Sequence, residues 1–312
     1  MCRVDRFFPL RESDYHSKIK TNIYIQRLPT KLQQYTNNTT MGAGADLKKL
    51  SSMQNLGLGM LSGVMCKMIN YPLLSTKNRV QQGRGVTFNP SIVYRGLPMA
   101  MLNLGGSTAV QFLATGIFQK AIAGDKPTLT KTEQNAAAFL GGVASGIPCS
   151  FWELIMIQQQ NSGTSIIETP MKIVSEFGIA GLARGAICTM GRESLYTMAM
   201  LGVTPMIQTE LKEKFQLDNN IALAIGALSG SFLSATITHP MDTIKTCMQG
   251  DMSQKKYTNI RETGQLLADE YGVRAGLFKG LAWRIGLITT TFFLVNKIKE
   301  QVAPRIFPHL LE

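Results

Sequence analysis

Residues 239–249 read His-Pro-Met-Asp-Thr-Ile-Lys-Thr-Cys-Met-Gln, and they close a stretch, 219–241, that holds no Asp, Glu, Lys or Arg. A run of about 20 such residues is what a helix needs to cross the hydrocarbon core of a bilayer. Asp242 and Lys245 lie three apart, so a helix carries both on one face, and Pro240 removes a backbone donor just before them and bends the helix. The same eleven-residue frame occurs twice more: Tyr71 to Gln81 reads YPLLSTKNRVQ and Ser150 to Gln160 reads SFWELIMIQQQ. The shared glutamines Gln81, Gln160 and Gln249 are separated by 79 and 89 residues. In this register Pro72, Phe151 and Pro240 correspond, as do Leu74, Glu153 and Asp242, and then Lys77, Met156 and Lys245. An internal repeat of this length is read before any fold is assigned, because it changes every later assignment.

Outward from these frames the pattern continues. Tyr94-Arg95-Gly96, Ala183-Arg184-Gly185 and Phe278-Lys279-Gly280 each open a further apolar run. Residues 96–119 and 134–152 carry no charged side chain, whereas 53–76 contains Lys67, 186–209 contains Arg192 and Glu193, and 281–302 contains Arg284. Six spans are expected, and the few ionisable residues within them face a bundle interior or a wet cavity, because facing lipid is costly. Each repeat also has a G-x-x-x-G, Gly59/Gly63, Gly142/Gly146 and Gly226/Gly230, a spacing that lets helix backbones approach closely. Ahead of Gly185 and Gly280, Glu176-x-Gly178 and Glu270-x-Gly272 follow amphipathic lead-ins. A short interfacial helix is expected in repeats two and three and not in the first.

Composition agrees. The 312 residues carry a formal charge of +12, yet only 17% are charged and 45% are hydrophobic, with a mean hydropathy of +0.04. An ordinary soluble enzyme would hold about a quarter charged residues, and a disordered chain far fewer apolar ones. Residues 1–50 differ from the rest, with nine basic against four acidic side chains and frequent Ser, Thr, Asn and Gln. They read as a polar basic arm without the apolar run of a secretory signal. Cys2, Cys66, Cys149, Cys188 and Cys247 are dispersed, and His16, His239 and His309 have no ligand-spaced neighbours. Reduced packing cysteines are expected, with no metal and no cofactor.

Three tandem units in this register resemble the mitochondrial carrier family over about residues 50–302; the family's signature, P-x-[DE]-x-x-[KR] on the odd spans with a glutamine nine residues after the proline, is met in full by Pro240 to Gln249 and in part by the other two frames. The resemblance implies an all-α membrane protein with six transmembrane helices in three tandem pseudo-threefold repeats and short matrix-side amphipathic helices in repeats two and three. Its parts would be the arm, 1–50, a carrier domain, 51–302 (repeats at about 51–124, 130–215 and 218–302), and a tail, 303–312. It implies a matrix gate made of Lys77, Glu153, Asp242 and Lys245, with Asp242 pairing with Lys77 and Glu153 with Lys245. The third pair would be Leu74 with Met156, both apolar, a joint replacement that avoids a stranded charge. Gln81, Gln160 and Gln249 would brace the gate from beneath, and Pro72 and Pro240 would kink their helices. The second charged ring of the family is expected to be missing, since the corresponding positions hold Gly116 with Gln119, Pro205 with Gln208, and Glu300 with Ala303.

Substrate contacts implied by the resemblance are Lys67, Asn103, Arg192, Glu193 and Arg284. Arg192-Glu193 resembles the basic-acidic pair of amino-acid-type carriers, in which a guanidinium holds a carboxylate and the acid an ammonium. The implied function is a non-enzymatic one: exchange of a small organic anion, a di- or tricarboxylate or an amino acid, by alternating access in the mitochondrial inner membrane. Both termini would lie in the intermembrane space. Implied partners are the small anionic metabolite and inner-membrane lipids, cardiolipin among them, with no nucleic acid. The alternative is a carrier fold kept as a scaffold within a larger membrane-protein complex, docked through the arm.

Overall fold

A computed structural model describes residues 52–306 apart from 125, 127, 128 and 200–203. The expected arm and residues 307–312 of the expected tail lie outside the described residues, as do the side chains of Pro205, Gln208, Glu300 and Ala303 from the second ring. Among the described residues the chain is all helical, without a strand.

The helices in order are α1 (Ser52–Gln81), α2 (Pro90–Val93), α3 (Leu97–Ala123), α4 (Lys131–Ser162), α5 (Glu168–Phe177), α6 (Ala186–Met198), α7 (Thr204–Phe215), α8 (Asn219–Gly250), α9 (Ile260–Tyr271), α10 (Val273–Leu277) and α11 (Leu281–Ile306). A 3-10 turn, Ile179–Ala183, joins α5 to α6. Packing runs in a closed ring: α1 on α3, α3 on α4, α4 on α6, α6 and α7 on α8, α8 on α11, and α11 back on α1. First and last helices therefore meet, which is how three repeats close around an axis.

The ring is apolar outside and polar inside. On α1, Met60, Leu61, Met65, Met68 and Ile69 are exposed, whereas Ser62, Asn70, Ser75, Thr76, Lys77 and Asn78 are buried. On α8, Ile221, Ile225, Phe232, Leu233 and Ile237 are exposed, whereas Ser231, Ser234, Thr238, His239, Asp242 and Lys245 are buried. A soluble bundle has the reverse arrangement, and contiguous apolar surface of this extent suits lipid.

Among the described residues, length and apolar composition alone mark Lys131–Ser162 and the stretch Val273–Val295 as able to cross a membrane, and a third span if Glu168–Phe177 and Ile179–Met198, bent by 116°, are taken together.

Local chemistry places the elements. Thr130 and Glu133 form a reciprocal capping box that starts α4, and Asn259 caps α9 by accepting from the Glu262 amide. The amphipathic helices expected in repeats two and three are α5, which buries Thr169 and Ile173, and α9, which buries Thr263 and Leu267. Repeat one has only the four residues of α2 at that place. Pro72 and Pro240 lie inside α1 and α8, and α4, which has Phe151 at the aligned position, has Pro148 instead.

Of the G-x-x-x-G pairs, Gly142/Gly146 forms a tight seam: a methyl on Gly142 would lie 2.4 Å from Cα of Ser194, and one on Gly146 would lie 2.5 Å from Cα of Met190. Backbone of α4 thus touches backbone of α6. Gly63 is looser, with Leu104 of α3 at 3.4 Å.

Candidate functional site

At one end of the ring the three odd helices α1, α4 and α8 bring their repeated frames together. Lys77 Nζ lies 2.6 Å from Asp242 Oδ2, and Lys245 Nζ lies 2.8 Å from Glu153 Oε2. Asp242 is completely buried and Lys77, Lys245 and Glu153 nearly so. These are the two pairs that the resemblance implies. Leu74 and Met156 fall within one apolar cluster with Tyr71, Met99, Ile155 and Ile157, so the third station is closed by packing. Breaking a buried ion pair by removing one partner costs about 3–5 kcal/mol, whereas replacing both by packed apolar groups can be neutral.

Even helices confirm the register from the other side. Gly96, Gly185 and Gly280 adopt φ of +82°, +79° and +84°, a region open to glycine. A methyl at Gly96 would sit 2.9 Å from the Met156 carbonyl, one at Gly185 would sit 3.1 Å from Lys245 Cγ, and one at Gly280 would sit 3.3 Å from Gln81 Cγ and 3.5 Å from the Lys77 carbonyl. Each repeat's glycine rests on the next repeat's odd helix, cyclically. Met156 therefore occupies the station that Lys245 and Lys77 hold elsewhere.

The glutamines do related but unequal work. Gln81 Nε2 donates to Asp242 Oδ2 at 2.9 Å and to Thr243 Oγ1 at 3.2 Å, directly under the Lys77 pair. Gln160 accepts from Asn78 Nδ2 and donates to the Tyr71 hydroxyl, both at 2.9 Å, tying α4 to α1 where no ion pair exists. Gln249 donates to the Arg184 carbonyl at 3.0 Å and to Ser150 at 3.3 Å. It thus ties α8 to repeat two without touching the Lys245–Glu153 pair.

One residue further on, a second tier closes the axis: Asn161 Nδ2 donates to Gln82 Oε1 at 2.8 Å and to the Gly250 carbonyl at 3.5 Å, and Gln158 Nε2 donates to the Gln249 carbonyl at 2.5 Å. Gly250 is small for a reason, since a methyl there would meet Gln82 Oε1 at 2.3 Å. Sequence reasoning stopped at the glutamines and missed this tier, although Gln82, Asn161 and Gly250 occupy one column of the repeat. It also missed Tyr71 and His239, which precede the two prolines: the Tyr71 hydroxyl donates to the Arg95 carbonyl, and His239 Nε2 bonds the Lys279 carbonyl at 3.0 Å.

The residues assigned to substrate divide into three groups. Arg192 Nη2 lies 3.0 Å from both Glu153 oxygens and 2.6 Å from Glu193 Oε1, and its Nη1 lies 3.3 Å from Asp242 Oδ1. Arg284 Nη2 donates to Thr238 Oγ1 at 2.8 Å, and its Nη1 lies 3.8 Å from Asp242 Oδ2. Arg192, Glu193 and Arg284 are therefore joined to the ring of Lys77, Glu153, Asp242 and Lys245, and sequence reasoning had set them apart from it. Lys67 makes no ion pair among the described residues but lies within electrostatic range of Glu153 and Arg192. Asn103 accepts from Ser107 Oγ at 2.6 Å within α3 and makes no contact with the cluster.

Four cations, Lys77, Lys245, Arg192 and Arg284, face three carboxylates, Glu153, Glu193 and Asp242, which leaves one formal positive charge, or two with Lys67. Arg192 Nε and Arg284 Nη1 are buried donors without a hydrogen-bond partner. An excess of cation with unfilled donors favours an added anion.

Outside the helices, Arg184 donates to the carbonyls of Met248, Thr258 and Tyr257, pinning the connector that follows α8. Asp251 folds that connector by accepting from the amides of Lys255, Lys256 and Tyr257 at 3.3, 2.7 and 2.9 Å. Partial burial alone would raise the Asp251 carboxyl, but these three amides, with Arg184 nearby, hold it below its ordinary value.

Comparison with known sequences agrees with this geometry. Residues 217–304, which contain α8 to most of α11, match the family model described as mitochondrial carrier protein. A mitochondrial substrate carrier family protein X of Dictyostelium discoideum is 26% identical, over 79% of this chain and 89% of its own length. A mitochondrial glycine transporter of Yarrowia lipolytica is 24% identical, over 75% of this chain and 88% of its own. A chloroplastic/mitochondrial S-adenosylmethionine carrier 1 of Arabidopsis thaliana is 28% identical, over 79% and 78%.

Proposed function

Because the chain is a member of the mitochondrial carrier family, we propose that it is a solute transporter of the mitochondrial inner membrane that exchanges a small organic anion by alternating access. The supporting observation is the interlocked ring of charge in which Lys77, Glu153, Asp242 and Lys245 are continuous with Arg192, Glu193 and Arg284. In this reading the six apolar runs are six spans, the ring is a gate facing the matrix, and both termini face the intermembrane space. Lipids of the inner membrane, cardiolipin among them, cover the apolar outer faces.

Substrate enters from the side opposite the gate and meets Lys67, Arg192 and Arg284. Arg192 and Arg284 offer guanidinium donors to a carboxylate, and Glu193 offers a partner to an ammonium group if the substrate is an amino acid. Glycine and S-adenosylmethionine, named for two of the relatives, both carry that pair of groups. Di- and tricarboxylates suit the net positive charge equally well. Asn103, away from the cluster, would contact a more distal part of the solute.

A ligand that binds the folded state alone raises stability by RT ln(1 + [L]/Kd), about 2.7 kcal/mol at a hundredfold excess over Kd. The purified protein in detergent is therefore expected to gain thermal stability with one of glycine, S-adenosylmethionine, succinate or citrate, and R192Q is expected to lose that gain. Equal shifts in wild type and R192Q would remove Arg192 from the site.

A further inference from the structure

The gate of this chain has two ion pairs where three repeats provide three stations, and the vacant station is apolar. Two separate pairs would leave α4 and α8 joined by Lys245–Glu153, α1 and α8 joined by Lys77–Asp242, and nothing charged connecting the pairs. Arg192 connects them: one guanidinium reaches Glu153 of repeat two and Asp242 of repeat three at 3.0 and 3.3 Å, and neighbouring Glu193 at 2.6 Å. We propose that Arg192, projecting from the even helix α6, is the third link of the gate, replacing the missing Leu74–Met156 pair by bridging the acids of the two pairs that remain.

The geometry carries this in three ways. Arg192 is not seated in a separate site with a partner of its own; three of its four close oxygen contacts are to gate acids. A planar guanidinium with donors on both Nη atoms can span two carboxylates, which a lysine ammonium at Met156 could not do from the rim of the ring. Its flank is also closed by Cys149 of α4, whose Sγ is buried and lies 3.5 Å from Nη2. One consequence rests on the transport reading above. A carboxylate substrate that takes Arg192 must draw it away from Glu153 and Asp242, so binding would loosen all of the remaining gate at once, where a gate of three independent pairs would yield one pair at a time.

Cys149 is a native reporter for the test. In a protein whose other cysteines are replaced by serine, a membrane-impermeant charged maleimide is applied from the side on which Gln81, Gln160 and Gln249 lie, and the labelling rate is read without any solute. The bridging role predicts that R192Q raises the rate at least tenfold. R192Q/E193Q, which also removes the acid left without its partner, should do the same, and this second variant separates an open gate from a misfolded chain. Adding L74D and M156K to R192Q, which rebuilds the missing pair, should return labelling to within about twofold of the parent. Solute flux should stay lost in that triple variant, because Arg192 would still be absent from the substrate. Unchanged labelling in both R192Q and R192Q/E193Q, or fast labelling that L74D/M156K does not slow, would overturn the bridge. Full recovery of flux in R192Q/L74D/M156K would overturn the coupling. Absence of flux in the parent would count against the transport reading and leave the labelling result to decide the bridge.

Discussion

Replacing Lys77 and Asp242 by alanine, singly and together, tests whether the charges form one network. Asp242 accepts from Lys77 at 2.6 Å, Gln81 at 2.9 Å and Arg192 at 3.3 Å, with Arg284 at 3.8 Å. K77A leaves that carboxylate with two hydrogen-bond donors, Gln81 and Arg192, and with Arg284 at ion-pair distance, so its cost falls at the low end of the range for a broken buried pair, about 3 kcal/mol. Among the described residues, D242A leaves the buried Lys77 ammonium with no acid within ion-pair distance and takes from Arg284 the only carboxylate at that distance, so its cost falls at the high end, about 5 kcal/mol. Once Asp242 is gone, removing Lys77 deletes an unpaired charge, and the double variant should be no less stable than D242A. The cycle then gives a coupling of about 3 kcal/mol, at the top of the range for residues in one network. Unfolding titrations of the detergent-purified protein supply the four free energies. A coupling below about 0.5 kcal/mol, or a K77A penalty equal to or larger than that of D242A, would refute the reasoning.

Three further outcomes follow from the same geometry. L74D alone buries an acid beside Met156 and should cost about 3–5 kcal/mol, with M156K recovering most of it; an L74D/M156K chain as unstable as L74D would mean that the two positions do not face each other. G146L forces a side chain into backbone held 2.5 Å from the methyl position, so the α4–α6 seam must part at a cost of at least about 1–3 kcal/mol, read as a lowered melting temperature that an unaltered melt would contradict. Asp251, its carboxyl depressed in the folded chain, stabilises the connector 251–258 above about pH 4, and that contribution disappears as pH falls through the depressed value. D251N should accordingly speed tryptic cleavage after Lys255 and Lys256 at neutral pH, and cleavage at the parent rate would show that the amide cluster does not depend on the charge.

Three eleven-residue frames made the equivalent positions legible, and the family resemblance supplied their partners: Asp242 with Lys77, Glu153 with Lys245, and an apolar Leu74 with Met156. Register also located the short helices α5 and α9. Arg192 and Arg284 were identified as cavity residues, but their reach to Glu153 and Asp242 was not, since a guanidinium on an even helix can extend to a ring on the odd helices and no spacing rule records how far it leans. Gln249 shows a related limit. It stands in the column of Gln81, yet it binds Arg184 and Ser150, because the residue before the proline position is serine in repeat two and leaves the Arg184 carbonyl free for it, whereas Tyr71 and His239 bind the corresponding carbonyls in repeats one and three.

The most direct test of the whole account is exchange in liposomes. Purified protein is reconstituted, the vesicles are loaded with unlabelled glycine, S-adenosylmethionine, succinate or citrate, and uptake of the labelled solute is followed against vesicles without protein. The account predicts saturable uptake of at least one of these solutes, accelerated by internal counter-solute and lost in R192Q. Uptake equal to that of protein-free vesicles for every solute, together with migration of the native protein in a large complex, would contradict it and leave a carrier fold serving as a scaffold.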